Sequence, residues 1–239
     1  MEEIKDRKGN VLYTVEAENQ RSAILRLAKD GASFNGADLK CSVLRDTDLS
    51  GVDFSGAYLL GADFSGANLE YTNFSGAYLS STYFENAIAN ETVFKGANLS
   101  GAYLRGANFG GANFHNADLN NADLRGARLK DASLKNTDLR WANLEEADLR
   151  GTYLEGADFN DAFLKNADFR GADIDLSSWT LSCKTLHAVV DDRIRIQLLY
   201  HATRPIGDIA DPDLKALLNS ELYKKVANKF HRKWECGEV

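Results

Sequence analysis

Residues 97–126 read ANLSG AYLRG ANFGG ANFHN ADLNN ADLRG, one five-residue repeat after another. In the same register, the positions five apart from Phe34 to Ile174 number 29, and 28 of them hold Leu, Phe or Ile. Only Ala89 departs. The residue two places before each of these positions is small, and it is Ala in 21 cases. A period this regular over residues 32–174 indicates a structural repeat.

A period of five fits neither a helix nor a half-buried strand, because their apolar residues recur every three to four or every two positions. It fits a chain that turns a corner in each repeat. One large and one small apolar side chain then face an interior, and three polar positions face water. The position two after the large residue is Gly in 14 of 28 cases, Asn in five and Asp in three. These residues tolerate positive φ, so this position is predicted to form a tight turn.

The number of repeats in one circuit follows from the phenylalanines. Phe recurs at five consecutive positions that are twenty residues apart, 34, 54, 74, 94 and 114. This recurrence predicts four pentapeptides per coil, with the rings stacked on one inner face. At roughly 4.8 Å per coil, about seven coils would form a rod roughly 35 Å long.

The pattern of Ala, Asp or Asn, Leu and two variable positions resembles the repeat of the pentapeptide repeat proteins. The resemblance covers residues 32–174 of the 239 in the chain. It implies an all-β fold, a right-handed quadrilateral parallel β-helix. The best known members protect or inhibit DNA gyrase by resembling duplex DNA, whereas most have no assigned activity. Function therefore has to be argued from the surface of this chain rather than from its fold.

Residues 1–31 are predicted to cover the open end of the first coil. Two short strands, 4–6 and 11–13, flank a Lys-Gly-Asn turn and form a hairpin. Asn19 then caps a helix that runs to Lys29, with Gly31 as its stop signal. An end cover hides an apolar surface and unpaired backbone groups.

Residues 175–239 are predicted to be α-helical, since the repeat stops at Ile174 and helix-capping residues follow. Along the last helix one apolar stripe recurs every four residues, formed by Leu222, Val226, Phe230 and Trp234. The stripe covers the last coil or pairs with a second copy of the chain. Because C-terminal elements build a dimer in the gyrase-directed members, the resemblance favours a homodimer.

Outward-facing aromatic residues interrupt the polar surface of the rod. Tyr58 and Tyr78, and likewise Tyr83 and Tyr103, lie twenty residues apart and are predicted to stack on neighbouring coils. Aromatic residues are enriched at binding surfaces. The candidate contact patch consists of Tyr58, Tyr78, Tyr83, Ile88, Val93 and Tyr103. The alternative is that stacked tyrosines only stabilise adjacent coils as cross-strand pairs.

The charge pattern disfavours binding to nucleic acid. The chain has a net charge of −7, and residues 32–174 contain 20 acidic and 12 basic residues. Phosphates are bound by Lys and Arg, so this rod would repel DNA and RNA. In the second half of the rod, bases such as Arg125, Arg150 and Arg170 alternate with acids. They are predicted to form a salt-bridged surface.

No catalytic or cofactor motif stands out in the chain. Cys183 with His187, and His231 with Cys236, are the only pairs that suggest zinc ligands, and their spacing is unlike that of usual zinc sites. The three cysteines are too few for a disulfide scaffold, the N-terminus has no signal peptide pattern, and no apolar run reaches membrane-spanning length. We therefore expect a cytoplasmic protein that is no enzyme, binds no cofactor or metal and does not enter a membrane.

The sequence thus favours a non-enzymatic interaction or scaffold protein that binds an unidentified protein partner. One alternative is a DNA-mimicking modulator of DNA gyrase, in which acidic residues of the rod replace phosphates. A second alternative is a metal-binding or enzymatic C-terminal region. In the favoured hypothesis the partner binds the β-helix surface or the terminal helices.

Overall fold

The computed structural model of the chain describes residues 1–174, 177–179 and 188. An antiparallel hairpin comes first, with strands β1 (Glu2–Lys5) and β2 (Val11–Val15). Helix α1 follows at Gln20–Lys29. Two two-residue strands, β3 (Asp158–Phe159) and β4 (Ser178–Trp179), pair in parallel near the other end. Between α1 and β3 the chain consists of repeated turns and single-residue parallel bridges.

These bridges join residues twenty apart and form four ladders, which define the sides of a rod. The outward residues of side 1 are at 38, 58, 78 and so on to 158, and those of side 2 run from 43 to 163. Side 3 runs from 48 to 168 and side 4 from 53 to 173. The structure therefore places four pentapeptides in each coil, as the recurrence of phenylalanine predicts.

The interior holds the large residue of every repeat. All 29 are at most 1% exposed, including Ala89. The side-4 phenylalanines stack in one column, with ring centroids 5.2 Å apart for Phe34 and Phe54 and 4.7 Å apart for Phe94 and Phe114. Phe64 of side 2 meets this column edge to face, 6.0 Å from Phe54. Rings from opposite sides thus fill the cross-section.

The corners have the backbone conformation that the sequence predicts. The position two after the large residue has positive φ throughout the rod, whether it is a glycine such as Gly126 or a bulky residue such as Tyr71. At a typical corner, the Leu59 N–H donates to Tyr78 O in the next coil at 2.9 Å, and the Gly61 N–H donates to Ser80 O at 3.2 Å. Backbone bonds between coils therefore continue around each turn.

A matched pair of glycines tests the corner conformation. Gly126 has a φ of +63° and space for a methyl group, whereas Gly110 lies outside the positive-φ region and a methyl group there would lie 3.0 Å from Asn90 Oδ1. Left-handed backbone costs a non-glycine residue about 1–2 kcal/mol, so we expect Gly126→Ala to lower the free energy of unfolding by about 1 kcal/mol. Gly110→Ala should lower it by less, because the backbone there is unstrained and only the end of the Asn90 side chain has to move. Urea unfolding of both variants checks this, and equal losses would contradict it.

The N-terminal segment contacts the first coil through its backbone and side chains. The Asp38 N–H donates to Lys5 O at 2.7 Å, and Tyr13 Oη donates to Ser33 O at 2.7 Å. Arg21 of α1 donates to Val43 O and Arg45 O at 3.1 and 2.9 Å. Two isoleucines of this segment, at positions 4 and 24, are buried. Asn19 is the N-cap of α1, as the sequence predicts, and its side chain accepts from the Ser22 N–H.

The side-1 ladder continues past the last pentapeptide, because Ser178 and Trp179 pair with Asp158 and Phe159. The pairing therefore extends beyond Ile174, where the sequence pattern ends. The predicted C-terminal helices and the stripe from Leu222 to Trp234 lie outside the described residues. Within the described part of the chain, no helix has the length and apolar character needed to cross a bilayer.

Candidate functional site

The outward residue just before each large one has a structural role in most repeats. At most positions where it is Asp or Asn, its side-chain oxygen accepts from the backbone N–H two residues later, as Asp63 does from Ser65 at 2.9 Å and Asn98 from Ser100 at 3.0 Å. The same contact recurs along the rod as far as Asp168. It is an Asx turn, and it satisfies an N–H group at the corner.

Five tyrosines stand at this position, and a phenol ring cannot make that bond. Tyr153 lies on side 4, and the other four form two stacks. Tyr58 and Tyr78 stack on side 1 with ring centroids 4.6 Å apart. Tyr83 and Tyr103 stack on side 2 with ring centroids 4.8 Å apart. The two stacks therefore flank one corner of the rod. We call these four residues the tyrosine patch. The stacking follows the prediction from their twenty-residue spacing.

The corner between the two stacks carries no charge at this level. Its outermost residues are small or apolar, namely Leu60, Gly61, Ser80, Ser81, Ser100 and Gly101. Tyr78, Tyr83 and Tyr103 are 47%, 39% and 41% exposed, and Leu60 is 48% exposed. Leu60 was not predicted to belong to this surface, although it directly follows Leu59 at a position that is otherwise mostly polar. The tyrosine patch with Leu60 forms a largely aromatic surface on both sides of this uncharged corner.

Two cations from outside the tyrosine patch lie over Tyr58, the first ring of the side-1 stack. The Arg7 guanidinium carbon, in the turn of the β1–β2 hairpin, lies 5.0 Å from the ring centroid of Tyr58. Lys40 Nζ lies 5.9 Å from the same centroid. The hydrogen bond between Arg7 and Tyr58 is the main cause of the raised pKa of Arg7. Since Tyr78 lies on the other face of Tyr58, the column is a guanidinium and two phenol rings in sequence.

Ile88 and Val93 were predicted to belong to the same contact patch as the tyrosines, but they lie on other sides of the rod. Ile88 bridges Asn68 and Asn108 on side 3, and Val93 bridges Asn73 and Asn113 on side 4. Ile88 is 46% exposed. The six residues therefore do not form one surface, because positions 78, 83, 88 and 93 occupy the four successive sides of one coil.

A polar groove of about 470 Å³ opens beside the side-2 stack. Its lining combines Tyr83 with three carboxylates and one guanidinium: Asp46, Asp63, Glu85 and Arg45, together with Ser65, Gly66 and Asn86. Arg45 Nε lies 3.6 Å from Asp63 Oδ2. Glu85 Oε2 accepts from Ser65 Oγ at 3.1 Å. The groove thus has an aromatic edge and an excess of negative charge.

In the second half of the rod, outward aspartates pair with the arginine two residues later. Arg150 donates through Nε and Nη2 to the two oxygens of Asp148, both at 2.7 Å, and Arg170 pairs with Asp168 in the same way. The pairs at 123/125 and 138/140 repeat this arrangement. The hydrogen bond from Arg140 is the main cause that lowers the pKa of Asp138. The predicted salt-bridged surface is therefore present.

These pairs make the stability of the rod dependent on pH. Because the folded-state pKa of Asp138 and Asp148 lies below the ordinary value of 3.8, their contribution is present above about pH 4 and is lost as the pH falls through the folded pKa. We expect a lower urea midpoint at pH 3 than at pH 6. The double variant Asp138→Asn/Asp148→Asn keeps the Asx turns and should show a smaller decrease. If the urea midpoint of the double variant decreases as much as that of the wild-type protein, the prediction is contradicted. Glu16→Gln/Glu18→Gln is the control, because it removes the same charge outside these pairs and should keep the wild-type decrease.

Within the described residues, no group of three or more His, Cys, Asp or Glu side chains is arranged to hold a metal ion. The zinc candidates at Cys183, His187, His231 and Cys236 lie outside that part of the chain.

The repeat assigns the chain to a family. The model of the pentapeptide repeats matches it in eight copies, and the matched residues lie within 30–56, 47–86, 57–96, 77–116, 97–136 and 137–175. The matches span more than half of the chain, so this protein belongs to the pentapeptide repeat family. A comparison with curated protein sequences gave no match.

Solved structures of the same kind resemble the chain. A trypsin-treated form of QnrB1, a plasmid-mediated fluoroquinolone resistance protein, is 23% identical, with a TM-score of 0.46, over 72% of this chain and 91% of QnrB1. Rfr23 from the cyanobacterium Cyanothece is 28% identical, with a TM-score of 0.28, over 66% of this chain and 97% of its own. A pentapeptide repeat protein of the Arabidopsis thaliana thylakoid lumen is 27% identical, with a TM-score of 0.22, over 74% of this chain and 92% of its own.

Proposed function

We propose that this protein is a non-enzymatic interaction protein that binds a protein partner through the tyrosine patch. The observation that carries the proposal is the position of the four rings. They stand where the repeat most often uses Asp or Asn to complete a corner, and they lie as two stacks beside one corner of uncharged residues. A ring stack stabilises the rod by about as much as the hydrogen bonds that it replaces, so stability alone does not account for two adjoining stacks of exposed rings.

The patch has the physical properties of a protein-binding surface. Tyrosine supplies a large apolar area with a polar tip, and it is enriched among the residues that dominate binding energy. Each ring is already restrained by its stacking partner, so little side-chain entropy remains to be lost on binding. The serines and glycines of the corner allow a partner backbone to approach both stacks.

Photo-crosslinking tests this function in cells. A photoreactive phenylalanine analogue at Tyr83 would contact the partner, whereas the same analogue at Tyr153 should not. Tyr153 is a suitable control because it is 50% exposed at the equivalent repeat position on side 4. We expect a discrete crosslinked protein from position 83 only. Equal crosslinking from both positions, or none from position 83, would reject the proposal.

DNA mimicry directed at gyrase remains the competing hypothesis, and the charges of the rod weigh against it. Four aspartates that would stand for phosphates, at positions 123, 138, 148 and 168, are each neutralised by an adjacent arginine. A mimic needs carboxylates that a basic DNA-binding groove can reach. We expect purified protein in micromolar excess to leave gyrase supercoiling and its quinolone sensitivity unchanged. Inhibition or protection would favour mimicry.

Two further roles complete the proposal. The hairpin and α1 act as the cover of the first coil, which their contacts with residues 33–45 support. The stripe at Leu222, Val226, Phe230 and Trp234 forms a homodimer in the cytoplasm. Light scattering after size-exclusion chromatography tests the dimer, since a monomeric mass for the intact chain would exclude it.

A further inference from the structure

Tyr83 lines the groove. Tyr103, in the next coil, stacks on one face of the Tyr83 ring at a centroid distance of 4.8 Å and an interplanar angle of 7°. The groove therefore opens toward the preceding coil, where Asp63 is the side-2 residue paired with Tyr83. Among the described residues, cation–π contacts are found at Tyr58, through Arg7 and Lys40, and not at Tyr83.

The side-1 stack shows within the same molecule what such a ring face can hold. There, the corresponding face of Tyr58 is covered by the Arg7 guanidinium at 5.0 Å, with Tyr78 stacked behind it. Tyr83 and Tyr103 repeat this pair of rings on the next side. Among the described residues, the second stack differs in having no cation over its outer ring, Tyr83.

The charges around the groove suit a cation. Asp46, Asp63 and Glu85 contribute three carboxylates, and Arg45 contributes one guanidinium, 3.6 Å from Asp63. The local charge is thus −2 from these four residues before a ligand binds. A guanidinium stacks on an aromatic face and pairs with carboxylates in its own plane, which a compact ammonium does less well.

We propose that the groove binds an arginine side chain of the partner protein, stacked on Tyr83 and paired with Asp63 and Glu85. The inference rests on the proposed function, because it supplies the charged part of the same contact. The partner would place apolar residues on the tyrosine patch and an arginine at its edge. Salt should then weaken the complex, since exposed charges are screened.

The test uses N-acetyl-arginine amide as the probe and N-acetyl-citrulline amide as its neutral isostere. In the full-length protein with labelled tyrosine rings, NMR titration should show saturable shifts of Tyr83 and Tyr103 with the arginine probe and none with citrulline. Tyr58, which Arg7 already covers, should shift less. The double variant Asp63→Asn/Glu85→Gln should weaken binding at least about fivefold. Asn at position 63 still completes the Asx turn, so the fold is retained.

Asp48→Asn/Glu70→Gln is the matched control, since it makes the same changes on side 3 and its adjoining corner and should leave binding unchanged. Three results would overturn the inference. They are equal shifts with the citrulline probe, tighter binding of N-acetyl-lysine amide than of the arginine probe, and unchanged affinity for the arginine probe in the Asp63→Asn/Glu85→Gln variant. The proposed function has a separate readout. If position 83 crosslinks a partner but the arginine probe does not bind, the tyrosine patch is retained and the arginine contact is rejected.

Discussion

Replacing Phe74 with alanine is expected to lower the free energy of unfolding by about 3–5 kcal/mol, the range for truncating a buried phenylalanine. Phe74 is fully buried at the middle of the side-4 column. It stacks between Phe54 and Phe94 at 5.4 and 5.2 Å, and meets two side-2 rings, at positions 64 and 84, edge to face at 5.5 and 5.9 Å. Its removal leaves a cavity that rings from two sides would have to fill.

Phe74→Leu is the control for this prediction. The same column continues with Leu134, Leu154 and Ile174, so the interior accepts a branched aliphatic residue at this side. We expect a loss of about 1–1.5 kcal/mol for leucine, because part of the volume is kept. Urea unfolding followed by circular dichroism measures both. A loss below about 1 kcal/mol for Phe74→Ala would contradict the packing described for the column.

The interior and the corners could be predicted from the sequence because each is decided within one repeat. The large residue needs burial and the residue two later needs positive φ, and these requirements recur every five positions. Even Tyr71, Glu91 and Trp141 adopt the predicted corner conformation, with φ near +60°. Neighbouring coils impose it, since inter-coil hydrogen bonds such as that from the Tyr71 N–H to Asn90 O hold the backbone on each side.

The side on which each outward residue lies also follows from the repeat, yet the six-residue patch was wrong as a single surface. Ile88 and Val93 are ten and fifteen residues from Tyr78, which places them two and three sides further round the coil. Counting in fives would have separated them from the tyrosines. Both are apolar residues at a position that is most often Asp or Asn, and Ile88 is exposed. The aromatic surface is continuous only across side 1 and side 2.

Other parts of the site could not be predicted, because they join segments whose spacing the repeat does not control. Arg7 reaches Tyr58 from a hairpin whose register, with an irregularity between Ile4 and Lys5, positions its turn. The groove depends on how the side chains of Asp46, which is exposed, and of Asp63 and Glu85, which are half-buried, are arranged around one ring. Neither arrangement leaves a periodic signal in the sequence.

The second large effect concerns binding. We expect the double variant Tyr78→Asn/Tyr83→Asn to weaken the partner complex by at least about 2 kcal/mol, or roughly 30-fold, which is the level of a central interface residue. One ring is lost from each stack, so both halves of the aromatic surface are disrupted. Tyr153→Asn, an equivalent change on side 4, should alter affinity less than about twofold.

The same double variant should fold normally. Losing two ring stacks costs about 0.5–1.5 kcal/mol each, and each new asparagine can accept from the N–H two residues later, which restores about the same amount. Asn98 on side 1 and Asn143 on side 2 already make this bond, at 3.0 Å in both cases. The net change in the free energy of unfolding should lie within about 1 kcal/mol of zero.

The most direct measurement is therefore made on one sample of Tyr78→Asn/Tyr83→Asn, with the urea midpoint and the affinity for the crosslinked partner determined side by side. A surface built for binding predicts an unchanged midpoint together with an affinity reduced at least about 30-fold. A clearly lowered midpoint with unchanged affinity would contradict it, because the tyrosines would then serve only to hold neighbouring coils together.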